Sequence, residues 1–223
     1  MAQPIVVPVG DSESVSGLLY AADKKQRARI TLILGHGAGS GQLSGFMVSF
    51  AEALSARGLD VLTFNFLYIE QGRGIPDRTD KLESCYRAVI DAARRHKPIA
   101  KNSLAIGGKS MGGRIASQIA AAGVGDLTGL VFLGYPLHPP GKPDQLRTKH
   151  LPAIKAPMLF IQGSRDSFGT PEELRPILKK LKAKIYEVEG GDHSFKVPKS
   201  IGEPQPDVYA RIQDEIVRWL KQQ

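Results

Sequence analysis

Ser110 lies between two glycines in Gly108-Lys109-Ser110-Met111-Gly112. A serine in a G-x-S-x-G segment can attack a carbonyl carbon, provided a base takes its proton and an acid orients that base. The chain supplies both types downstream: Asp166 in Gly163-Ser164-Arg165-Asp166, then His193 in Gly191-Asp192-His193-Ser194-Phe195. Serine, acid, histidine is the chain order that a strand-turn-helix nucleophile requires. Asp192 is the rival acid, but adjacent residues rarely point the right way for one to hydrogen-bond the other's ring. His96 sits among Arg94, Arg95 and Lys97 and reads as exposed; His138 and His150 fall in a proline-rich stretch with no strand-end context.

The same chemistry needs donors for a developing oxyanion. His36-Gly37-Ala38-Gly39-Ser40-Gly41 follows an apolar run and is the loop expected to give one backbone amide. Ala38 is the first choice, with Gly37 and Gly39 as alternatives, and the Met111 amide is the second donor. Each such donor is worth roughly 3–4 kcal/mol in the transition state. His36, Gly37, Tyr68 and Tyr135, all near strand ends, are expected to line the substrate pocket.

Competing readings of these glycines fail on spacing. A P-loop needs a glycine five residues before Gly108, where Ser103 stands. A dinucleotide fingerprint needs G-x-G-x-x-G, but after Gly37 and Gly39 the next glycine is Gly41, out of step. No metal is expected: the chain has no H-x-x-x-H, no H-E-x-x-H and a single cysteine, Cys85, which reads as a core residue. No cofactor is called for.

The elements that must position these residues follow from hydrophobic patterning. Strands are predicted at 5–9, 15–20, 30–34, 60–64, 103–107, 129–133, 158–162 and 184–187, and helices at 45–57, 78–96, 111–122, 171–181 and 206–221. The alternation implies βαβ units and a mainly parallel sheet. The first two strands are close enough to pair antiparallel at an edge. Thr31–Leu34, Leu130–Leu133 and Met158–Ile161 are apolar throughout, which suits strands covered on both faces. The segment 64–77 is rich in aromatics that could wall a pocket, with Glu70 and Arg73 to pin it. Residues 135–157 show little periodicity and form either a connection or a minimal cap.

Length and composition agree with one domain over 1–223. The hydrophobic fraction is 42% and the charged fraction 23%, those of an ordinary globule. No apolar run approaches the roughly 18 residues of a membrane span. The N-terminus lacks a basic, apolar leader, so no secretion signal is expected. With one cysteine no internal disulfide can form, and a reducing cytoplasm is the natural reading. The net charge is +8. Its lysines and arginines are scattered and not interleaved with aromatics, so neither a nucleic-acid nor a membrane partner is expected.

Taken together, His36–Gly39, Phe64-Asn65-Phe66, Gly72-Arg73, Pro76-Asp77, Gly107–Gly113, Gly163–Asp166 and Gly191–Phe195 resemble the α/β-hydrolases, in particular their small dienelactone-hydrolase-like branch. The resemblance spans nearly the whole chain. It implies a Ser110–Asp166–His193 triad, no cofactor, and a central sheet of about seven or eight strands with little or no cap. Dienelactone hydrolases proper use a cysteine nucleophile where this chain has Ser110, so lactone opening is not implied. The expected activity is hydrolysis of small carboxylic esters. Peptidase or acyltransferase chemistry would use the same triad, and a catalytically silent interaction module on the same fold is the reading from another class.

Overall fold

The computed structural model describes residues 2–223. The chain opens with a hairpin of β1 (Gln3–Val9) and β2 (Glu13–Tyr20). Then come β3 (Ile30–Gly35), α1 (Gly45–Ala56), β4 (Asp60–Phe64), a short α2 (Leu67–Glu70) and α3 (Thr79–Arg95). The second half runs β5 (Ser103–Lys109), α4 (Met111–Ala122), β6 (Gly129–Leu133), β7 (Met158–Gly163), α5 (Pro171–Leu178), β8 (Ala183–Val188) and α6 (Gln205–Leu220). These form one eight-stranded sheet in the order β1-β2-β4-β3-β5-β6-β7-β8. The expected antiparallel edge is present: β1 pairs with β2 and β2 with β4 in that sense, and every other pairing is parallel.

Strands β3, β4, β6 and β7 are buried at every position. Their apolar residues divide by parity, since successive side chains leave a strand on opposite faces. Ile33, Ile106, Phe132 and Phe160 pack under α3, α4 and α5. Leu32, Leu34, Val131, Leu133, Leu159 and Ile161 pack under α1 and α6. Two cores thus clamp the sheet from either side. Because β5 lies between β3 and β6, the carboxyl ends of β3, β5, β6, β7 and β8 share one edge, where open α/β sheets place their chemistry. The opposite edge is tied by buried Asp60, which accepts from the Ala22 amide (3.0 Å), Arg27 Nε (2.6 Å) and Asn102 Nδ2 (2.7 Å).

Helix α5 ends at Leu178, three residues before the expected end. Pro176 cannot donate back along the helix, and the Lys182 carbonyl already accepts from the Met158 amide at 2.8 Å, so the chain has left the helix to pair with β7. Residues 135–157 form a connection and not a separate cap. Their one regular element is a 3-10 turn at Leu151–Ala153, and Leu137, Leu151 and Ile154 insert into the core beside α4. In the segment 64–77 the aromatic first part is packed structure, with Phe64, Phe66 and Tyr68 fully buried, whereas 70–75 are exposed; Glu70 accepts from Ser16, and Arg73 pairs with Asp77. No helix among the described residues is long and apolar enough to cross a membrane.

Candidate active site

Strand β5 runs straight into α4 through Ser110, whose φ of 49° and ψ of −111° lie outside the regions an L-residue favours. The turn is held by contact between backbones. A Cβ on Gly108 would stand 2.3 Å from the Gly35 carbonyl oxygen, and one on Gly112 would stand 2.2 Å from the same atom. Strained dihedrals of this kind cost of order 1–3 kcal/mol and persist only where the surroundings impose them. Here they lift the Ser110 hydroxyl off the sheet edge while the Ser110 amide bonds the Leu133 carbonyl at 3.0 Å.

Three loops then converge. His193 follows β8 and places Nε2 2.8 Å from Ser110 Oγ. Its Nδ1 lies 2.8 and 3.0 Å from the two carboxylate oxygens of Asp166, which follows β7. With Nδ1–H directed at the carboxylate, Nε2 is left to accept the serine proton. Asp166 is only 2% exposed. Its other hydrogen bonds come from Gln162 Nε2 (2.9 Å) and the Phe168 amide (2.8 Å), and the Phe168 ring lies 4.2 Å from the imidazole centroid. Asp192 takes a different part. Its Oδ1 accepts from the Ser194 (2.7 Å) and Lys196 (2.9 Å) amides and so shapes the histidine loop from within.

The loop after β3 approaches Ser110 closely, since a Cβ on Gly37 would sit 3.9 Å from the Ser110 Cβ. Phe66 N–H donates to His36 Nε2 at 3.1 Å, which leaves Nδ1–H to donate to the Gly37 carbonyl at 2.8 Å. Ser40 N–H donates to that same carbonyl. A trans peptide points its N–H opposite its C=O, so the Ala38 amide is turned away from these partners. Met111 opens α4 and its amide has no acceptor within the helix. Both amides are therefore available to an anion.

Three residues expected in the pocket are instead buried supports. His36 is fully buried, and desolvation lowers its pKa to about 4, so it stays neutral as a clamp on the loop after β3. The Tyr68 hydroxyl donates to the Ala38 carbonyl at 2.9 Å, and that of Tyr135 to the Arg147 carbonyl at 2.7 Å. Neither ring is more than 1% exposed. Position near a strand end placed all three close to the site, but not the direction of their side chains. Gly37 does lie beside the serine. Cys85 is buried, and burial raises its thiol to about 12.

Two supporting residues occupy positions that no motif specifies, Lys109 being a free position of G-x-S-x-G. Gln162 is the polar end of an otherwise apolar strand, and that mismatch is its signal. It is fully buried, accepts from the Tyr135 amide (2.9 Å) and donates to Asp166 and to the Gly169 carbonyl (2.6 Å). Gln162→Leu is expected to lower kcat about ten- to a hundredfold through a displaced carboxylate, with KM changed far less, as steady-state kinetics would read. The other is Lys109, whose Nζ donates to the His193 carbonyl at 2.7 Å. Burial lowers its pKa from 10.5 to about 8. A lowered folded value means that the unfolded chain binds more protons between those two pH values, so this group makes stability rise as pH rises from about 8 to 10.5. Lys109→Met is expected to remove that rise, which melting curves of both proteins across the range would show.

Among solved structures, the chain is similar to a lidless α/β serine hydrolase from Xanthomonas campestris (19% identity, TM-score 0.75, covering 98% of this chain and 94% of that one). It is similar also to a dienelactone hydrolase from Anabaena variabilis (21%, 0.74, 98% and 96%) and to an esterase from Pyrococcus furiosus (16%, 0.73, 99% and 92%). At these identities the likeness is one of fold. The sequence family described as the alpha/beta hydrolase domain matches residues 28–221, nearly the whole chain, and the protein belongs to the α/β-hydrolase family.

Proposed function

We propose that the protein is a serine hydrolase that cleaves small carboxylic esters through an acyl-enzyme. The observation that carries this reading is the unbroken relay from Ser110 Oγ to His193 Nε2 and from Nδ1 to Asp166, each step 2.8 Å. Ser110 attacks the ester carbonyl, and His193 takes the hydroxyl proton. The imidazolium is stabilised by buried Asp166 and returns the proton to the leaving alcohol. The Met111 and Ala38 amides hold the tetrahedral oxyanion. Water then enters by the same route in reverse and releases the acid. With no separate cap over the sheet edge, the site suits short acyl groups. A silent interaction module on this fold is disfavoured because it gives no reason to hold Ser110 in strained dihedrals at hydrogen-bond distance from His193.

A fluorophosphonate probe tests this directly. Wild type is expected to gain one adduct, mapped by mass spectrometry to Ser110, and Ser110→Ala to gain none. Folded wild type that stays unlabelled and hydrolyses no p-nitrophenyl ester from acetate to octanoate would overturn the reading.

A further inference from the structure

Beside the relay lies a cavity of about 510 Å³, within the range of small-molecule sites. It is fixed to the reacting groups by the chain itself: Lys109 precedes Ser110, Ser194 follows His193, and Ser40 belongs to the oxyanion loop, and all three line it. One wall is apolar and already ordered. Phe46 stacks on Phe50 at 4.2 Å and meets the edge of Tyr209 at 6.0 Å, with Met47 beside them.

The polar lining is one-sided in charge. Lys109 and Lys196 both face the cavity, no carboxylate lines it, and neither ammonium forms an ion pair among the described residues. Lys109 uses one of its three N–H donors on the His193 carbonyl and has two left. Ser44, on the same lining, has a buried hydroxyl with no partner. Asp166 and Asp192 offset the burial of the Lys109 ammonium only in part and neither is in ion-pair contact with it, and such an unsatisfied charge is commonly kept where a ligand supplies the missing partner.

We propose that this cavity holds a part of the substrate that ends in a carboxylate carried on an aromatic or short aliphatic body, with Lys109 and Lys196 as the recognising cations. The body lies along Phe46, Met47 and Tyr209. The preferred ester is therefore a half-ester of a dicarboxylic acid or an ester of comparable charge. This rests on the ester-hydrolase reading for its chemistry, though not for its binding step.

The test is calorimetric titration of Ser110→Ala with 4-phenylbutanoate and with its neutral counterpart, 4-phenylbutanamide. The carboxylate is expected to bind about tenfold or more tightly, the scale of one charge-assisted hydrogen bond. That preference should vanish in the double variant Ser110→Ala/Lys196→Glu and shrink in high salt. Lys196 is exposed and bonds to Asp192 only through its backbone, its N–H donating to the Asp192 carboxylate and its C=O accepting from the Asp192 amide, so the replacement leaves the histidine loop its hydrogen bonds. Equal affinities, no binding of either compound, or a preference that survives the charge reversal would overturn the proposal. Because no turnover is involved, carboxylate binding by a protein whose wild type cleaves no ester would remove the hydrolase reading alone. Ester cleavage without carboxylate preference would remove this one alone.

Discussion

Replacing Ser110 with alanine is expected to lower kcat by about 10⁴-fold or more, with the melting temperature nearly unchanged. The loss is large because Ser110, as the proposed nucleophile, begins the relay. Without Oγ, His193 and the oxyanion amides can only assist a water that the site does not hold in line. The fold survives because the turn is set elsewhere. Gly108 and Gly112 lie against the end of β3, and the Ser110 amide still bonds Leu133. Alanine inherits the strained φ of 49°, whereas glycine does not pay for it. Ser110→Gly is therefore expected to melt higher than Ser110→Ala by an amount worth about 1–2 kcal/mol, with both variants equally inactive. Equal melting temperatures would show that the turn carries no strain at this residue. Retained turnover in either variant would show that another group is the nucleophile.

What the sequence disclosed, and what it hid, divides along a physical line. Strand positions were legible because four central strands, β3, β4, β6 and β7, are covered on both faces and largely apolar, and the two-residue period assigns each side chain to one core. Ser110, Asp166 and His193 were legible as candidates because each follows a strand in a short glycine-bearing loop. Their meeting was not. It depends on the parallel registers that bring Gly163 beside Val188 and Lys109 beside Leu133, and register is a property of the folded sheet. Side-chain direction was hidden for the same reason. His36, Tyr68 and Tyr135 fall at the right edge but turn inward, since a polar tip on an apolar body is satisfied by a loop carbonyl as readily as by a substrate. Gln162 shows the reverse case. A lone polar residue closing the run Met158-Leu159-Phe160-Ile161 must find buried partners, and those partners are the acid of the relay and the loops on either side of it.

Gly112→Ala is expected to destabilise the protein by about 3 kcal/mol and to abolish activity in whatever fraction folds. Two effects oppose each other at this position. Within a helix alanine is favoured over glycine by about 1 kcal/mol, and Gly112 is the second residue of α4. Against that, the new Cβ would stand 2.2 Å from the Gly35 carbonyl oxygen, 2.3 Å from its carbon and 2.8 Å from the His36 carbonyl oxygen. All three are backbone atoms of a central strand and its exit, so none can rotate aside, and the clash outweighs the propensity. Relief requires α4 to move away from β3. That movement carries Ser110 and the Met111 amide off one end and strains the Gly37–Ala38 loop at the other, so the proposed nucleophile and both proposed oxyanion donors lose register together. Gly39→Ala is the control: open space surrounds its missing Cβ, and its stability is expected to change by no more than about 0.5 kcal/mol. Urea denaturation of the three proteins reads the difference directly. If Gly112→Ala proved as stable as wild type, the backbone contact between α4 and β3 would not be what fixes the elbow, and the strain at Ser110 would need another source.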